Sequence, residues 1–162
     1  MTNTEPLSIV ELVVALDYGQ FTLHTEESDP DIGVEVLEEA LAGDGIAQRD
    51  GLLVVCSPHQ NNYKMALRVE IWSAAPPDDL AEWDEAFEAS LTVDGDGVTY
   101  ESPTRKIVNI EVPSGAYRAV ITGTGFVARG WPGSTEPGER WRIRLWPESA
   151  PVAAQRLKAW KG

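Results

Sequence analysis

Apolar and polar residues alternate with a period of two along much of this chain. Met65, Leu67, Val69 and Ile71 fall on one face of an extended segment, with Ala66, Arg68, Glu70 and Trp72 on the other. Phe87, Ala89, Leu91 and Val93 repeat the pattern against Glu88, Ser90 and Thr92. It recurs at Val108, Ile110 and Val112, and again at Tyr117, Ala119 and Ile121. Trp141, Ile143 and Leu145 then alternate with Arg140, Arg142 and Arg144. Successive side chains of a strand point to opposite faces, so each run predicts a half-buried strand. The unbroken apolar run Leu52-Leu53-Val54-Val55-Cys56 predicts a central strand covered on both faces, and residues 7–16 and 19–24 predict two more.

Turn chemistry punctuates these runs. Asp94-Gly95-Asp96-Gly97 and Pro113-Ser114-Gly115 each lie between alternating segments and predict hairpins, since Gly supplies positive φ and Pro presets a turn entry. Val34, Leu37 and Leu41 recur at helical spacing, with Asp31 placed to cap the start and Gly43 to end the helix. Ala153, Leu157 and Trp160 predict a second helix over residues 151–160. At 162 residues and 43% hydrophobic content the chain can build one core. The expected fold is mainly β: a single domain over residues 1–162, an antiparallel β-sandwich of 7–9 strands with one short internal helix and a C-terminal helix. Leu67, Val69, Phe87, Leu91, Val108, Ile110, Ile121 and Ile143 are its expected core.

Charge is unevenly spread. Residues 1–101 carry 22 Asp and Glu against 3 Lys and Arg, whereas residues 102–162 carry 4 against 10, for a net of −13. Such a surface repels nucleic acid and anionic lipid unless the basic end folds back over it. One cysteine excludes an internal disulfide framework and fits a reducing compartment. The 7–16 run has no preceding basic region, contains Glu11 and is too short to span a bilayer, so a cytoplasmic protein without membrane association is expected.

No motif for catalysis stands out. Cys56 and His59 have a zinc-compatible spacing, and His24 could add a third ligand, but structural zinc needs three or four such groups. Asp94-Gly95-Asp96-Gly97 begins like a calcium loop, yet Arg105 occupies the position of the bidentate Glu. Gly123-Thr124-Gly125 opens no helix, which argues against a nucleotide loop. No cofactor, metal or catalytic group is therefore expected. The row Arg140, Arg142, Arg144 is expected to pair with carboxylates of a neighbouring strand, such as Glu70 or Glu88. Asp78, Asp79, Glu82, Asp84 and Glu85, with Trp83 among them, form the candidate partner-binding cluster on an exposed, Pro-rich linker between strands. Acidic rims around an aromatic anchor suit a basic protein partner.

Several stretches resemble the competence J-type family, small bacterial proteins that inhibit a DNA-entry nuclease. They are DYGQFTL at 17–23, EEALAGDGIAQRDGLLVV at 38–55, the strand around 65–71, residues 90–101, and NIEVPSGAY at 109–117. Together they span about residues 16–122; residues 126–162 lie outside. The resemblance implies a non-enzymatic inhibitor whose basic partner is a nuclease, with the acidic surface acting as a charge mimic of nucleic acid. The alternative is a sandwich that binds a small ligand or sugar through exposed Trp72, Trp131 or Trp146.

Overall fold

The computed structural model describes residues 5–25, 30–49, 51–58, 62–103, 107–126 and 138–161. In chain order the elements are β1 Ser8–Leu16, β2 Gln20–His24, α1 Pro30–Ala42, β3 Ile46–Arg49, β4 Leu52–Cys56 and β5 Asn62–Ile71. There follow a 3-10 turn at Leu80–Glu82, β6 Glu85–Val93, β7 Gly97–Glu101, β8 Val108–Glu111, β9 Gly115–Thr124, β10 Arg140–Pro147 and β11 Gln155–Lys158. The described residues thus form eleven strands, more than the 7–9 expected. A six-stranded sheet has the order β1-β5-β10-β9-β6-β11, and a five-stranded sheet the order β3-β4-β2-β7-β8.

The inner faces of both sheets contribute to one apolar cluster. Phe21 of β2 meets Trp141 of β10 edge-on at 5.3 Å and stacks on Tyr100 of β7 at 5.4 Å. Seven of the eight expected core residues are buried there. Val108 is only half-buried, because β8 forms the edge of its sheet.

Four expectations about elements need correction. Residues 151–160 contain the short strand β11, not a helix; Gln155 and Arg156 pair with Glu88 and Phe87 at the edge of the large sheet. An edge with open backbone donors competes with a helix that residues this few can barely nucleate. The large sheet is mixed, since β10 runs parallel to β5, although every other pair is antiparallel. The turns at 94–97 and 113–115 are not hairpins: β6 and β9 belong to the large sheet and β7 and β8 to the small one, so both turns carry the chain between sheets. Finally, α1 presents a different face from the one read in the sequence. Val34 and Leu41 are 57% and 67% exposed, while Val36 and Ala40 pack on Ala47, Leu52 and Val54. The helix starts at Pro30, which puts Asp31 inside the first turn, and Gly45, not Gly43, takes the left-handed φ of +81° after it.

The continuous apolarity of β4 is explained by this arrangement. Leu53 and Val55 face the shared core while Leu52 and Val54 face α1, so both sides of the strand are covered.

Candidate docking loop and the basic sheet face beneath it

The outer face of the large sheet carries the chain's Arg row. Its register places Glu11, Arg68, Arg142 and Thr122 side by side on β1, β5, β10 and β9. One row along, Glu70, Arg144 and Val120 are neighbours on β5, β10 and β9. Arg144 Nε donates to Glu70 at 3.0 Å, as the strand-pairing expectation required. Arg68 also serves Glu70, at 2.6 Å, and Glu11, at 2.7 Å. Glu88, the other expected partner, is taken by Arg118 at 3.3 Å. Burial opposes ionisation of Glu70, but hydrogen bonds from Arg68 and Trp72 and the charge of Arg144 prevail and hold its carboxyl below the usual range.

Residues 72–84 connect β5 to β6 by crossing this face. Pro76 and Pro77 have no N–H to donate and keep the first half out of regular structure. Asp78 Oδ1 accepts from the Leu80 N–H at 3.0 Å, which starts the 3-10 turn. The loop is tied down from three strands: Arg144 donates to the Pro77 carbonyl at 2.9 Å, Lys158 Nζ to the Leu80 carbonyl at 3.1 Å, and Thr124 Oγ1 to Asp84 at 2.7 Å.

The six candidate residues separate by environment. Asp79 receives a two-pronged bond from Arg142, at 2.6 and 2.7 Å, which holds its carboxyl low despite partial burial. Trp83 is only 7% exposed and lies beneath two guanidinium groups, Arg142 at 4.5 Å and Arg140 at 5.1 Å from its ring centroid. Asp84 is half-buried against β9. Glu85 opens β6 on the inward side, buried beside Arg156 at 3.3 Å, and burial pushes its carboxyl upward. Only Asp78 and Glu82 stand exposed. The sequence pattern did not reveal the Arg142–Asp79 clamp, because its partners lie 63 residues apart and meet only once the parallel β5–β10 pair has formed.

The remaining candidates are placed as follows. His24 and Cys56 stand at opposite ends of the β2–β4 pair, where Gln20 faces Cys56 and His24 faces Leu52, so they cannot share a metal. His24 instead meets Glu101 at 3.1 Å. His59, Arg105 and Trp131 lie outside the described residues. Cys56 is half-buried, not fully enclosed as expected; burial raises its thiol and the charge of Arg156 opposes that. Among the described residues no three His, Cys, Asp or Glu cluster as a metal site would need. Trp72 is buried, 4% exposed, with its N–H on Glu70 and the Arg144 guanidinium over its ring, so it offers no open stacking surface. Trp146 is half-buried.

The described residues thus form a mainly β protein of two sheets with one α-helix and a clamped acidic loop on the outer face of the large sheet. Two solved structures share this fold. The crystal structure of ComJ, inhibitor of the DNA degrading activity of NucA, from Bacillus subtilis, matches with a TM-score of 0.58 and 18% identity, over 91% of this chain and all of that one. The protein described as crocagin biosynthetic gene J matches with a TM-score of 0.55 and 15% identity, over 87% of this chain and 97% of that one. No protein-family model and no curated protein sequence matches. Coverage of 91% carries the likeness past residue 122, the end of the stretches that resemble the family in sequence. That fits the placement of β10, which fills the centre of the large sheet.

Proposed function

We propose that this is a non-enzymatic acidic inhibitor protein that docks on a basic nuclease and occupies the cleft in which the enzyme would hold DNA. The fold shared with a nuclease inhibitor carries the reading. The net charge of −13 supports it, because a nuclease cleft presents Lys and Arg to the phosphate backbone. In this reading the paired sheets act as a single sandwich scaffold in a reducing cytoplasm. Asp78 and Glu82 face the partner, while Asp79, Trp83, Asp84 and Glu85 hold the loop that presents them. Direct nucleic-acid binding is not part of the role, since a net charge of −13 opposes an extended polyanion.

The test is inhibition of DNA degradation by a small basic nuclease of the DNA-entry type, with both proteins purified. Stoichiometric inhibition that weakens as salt rises is the expected result. Absence of inhibition and of complex formation at low salt would remove the proposal. With Trp72 buried, the small-ligand alternative is left with half-buried Trp146 and with Trp131, which lies outside the described residues.

A further inference from the structure

We propose that the groove between β1 and the turn at 80–83, on the outer face of the large sheet, binds a small molecule bearing a carboxylate or phosphate. The site rests on Arg140 and is independent of the inhibitor reading. The groove encloses about 810 Å³, with Ala66 on its floor, Glu11 and Val13 on one wall and Glu82 and Trp83 on the other. That is within the range of small-molecule sites, roughly 300–1,000 Å³.

Its cations are not all spent on internal pairs. Arg68 serves Glu11 and Glu70, Arg142 serves Asp79, and Arg144 serves Glu70 and Asp79. Arg140 meets no carboxylate among the described residues, although the chain has twice as many acidic as basic side chains. Its guanidinium rests over Trp83, an arrangement that fixes its position without using up its donors. Ala66, exposed on β5, is the register partner of Arg140. Its small side chain lies on the groove floor beside Arg140. Arg142, which also lines the groove, has its buried Nε without a hydrogen-bond partner among the described residues. A preorganised guanidinium with no carboxylate among the described residues, set on a concave floor, suits an oxyanion, which its fork can grip through two parallel bonds. The negative field of the rest of the molecule is screened beyond about 8 Å at physiological salt, so contact charges decide binding. Among the described residues Glu82 is the one groove carboxylate without an ion pair, and it sits where it would repel such a ligand.

The test is an NMR titration of the intact protein with inorganic phosphate and, separately, with succinate, at ionic strength held constant with chloride. Saturable shifts of the Arg140 side-chain and Trp83 indole signals are expected with one or both anions, and the preferred anion identifies the ligand class. Arg140→Gln should weaken binding about tenfold, as loss of one charged hydrogen bond does. Glu82→Gln should tighten it, an effect that no purely structural role of the loop produces. Arg49→Gln, on β3 of the other sheet, should leave it unchanged. Shifts that stay linear with both anions would overturn the proposal, as would equal affinity in the wild type and Arg140→Gln.

Discussion

Arg142 and Asp79 meet through two short parallel bonds in a site where the Arg side chain is 7% exposed and the Asp side chain 22%. Arg142→Gln keeps much of the packing but strands a part-buried carboxylate. The expected loss is about 2 kcal/mol in urea unfolding, below the 3–5 of a fully buried pair because Asp79 retains some water. Asp79 also sets an acid limb. Its folded carboxyl titrates below its unfolded value, so its contribution is present above about pH 4 and disappears as pH falls through the folded value. Asp79→Asn should flatten that part of the stability profile. Glu85 has the opposite sign. Burial raises its folded pKa, so its contribution is full below about pH 4.3 and is lost as pH rises through the folded value. Glu85→Gln should therefore stabilise the protein at pH 7, and the gain should vanish in acid. Melting curves at pH 7 and pH 4 distinguish the two carboxyls; a Glu85→Gln variant that melts lower at pH 7 would show that its pair with Arg156 outweighs burial.

The strands were legible because alternation is a local signal and the sheet faces enforce it. The α1 face was not. Val34, Leu37 and Leu41 are the larger apolar residues, yet small Ala40 with Val36 lets the helix lie close on β3 and β4, and close approach decided which side faces inward. Val34→Glu should accordingly change stability little, whereas Ala40→Leu, a better fit to the sequence pattern, should cost about 1–3 kcal/mol by overpacking. Equal costs for the two would contradict the observed rotation. The sheet-to-sheet turns were illegible for a related reason: the same Gly-rich chemistry serves a hairpin and a crossing, and only tertiary packing separates them. Gly97 marks one crossing. A Cβ there would collide with the backbone carbonyl of Ile110, which cannot rotate away as a side-chain tip can. Gly97→Ala should lower the melting temperature by more than Gly95→Ala, where a Cβ meets open space.

At the scale of the whole molecule, the charge polarity along the sequence is largely folded away. The basic end supplies β10 at the centre of the large sheet and β11 at its edge, so Arg142, Arg144 and Arg156 lie among the acids of the first two-thirds and pair with Asp79, Glu70 and Glu85. Charge counts alone could show that such a return would matter, but not which acids it would neutralise; that depends on the parallel β5–β10 register. The consequence for the acidic loop is specific. Of its five carboxylates only Asp78 and Glu82 remain exposed, so steering by the loop is a two-charge effect. Asp78→Asn with Glu82→Gln should slow association with a basic nuclease several-fold at low salt, since exposed charges act mainly on the encounter rate. The difference should fade near 1 M salt, where the screening length falls to about 3 Å. Glu38 and Asp44, exposed near α1 and free of ion pairs among the described residues, provide a control with the same change in net charge. Stopped-flow association of the two double variants separates the cases. A slower rate in the loop variant alone supports docking there. Equal slowing in both assigns the effect to the diffuse field of the molecule. Wild-type rates in both would leave the charge-mimic reading without support.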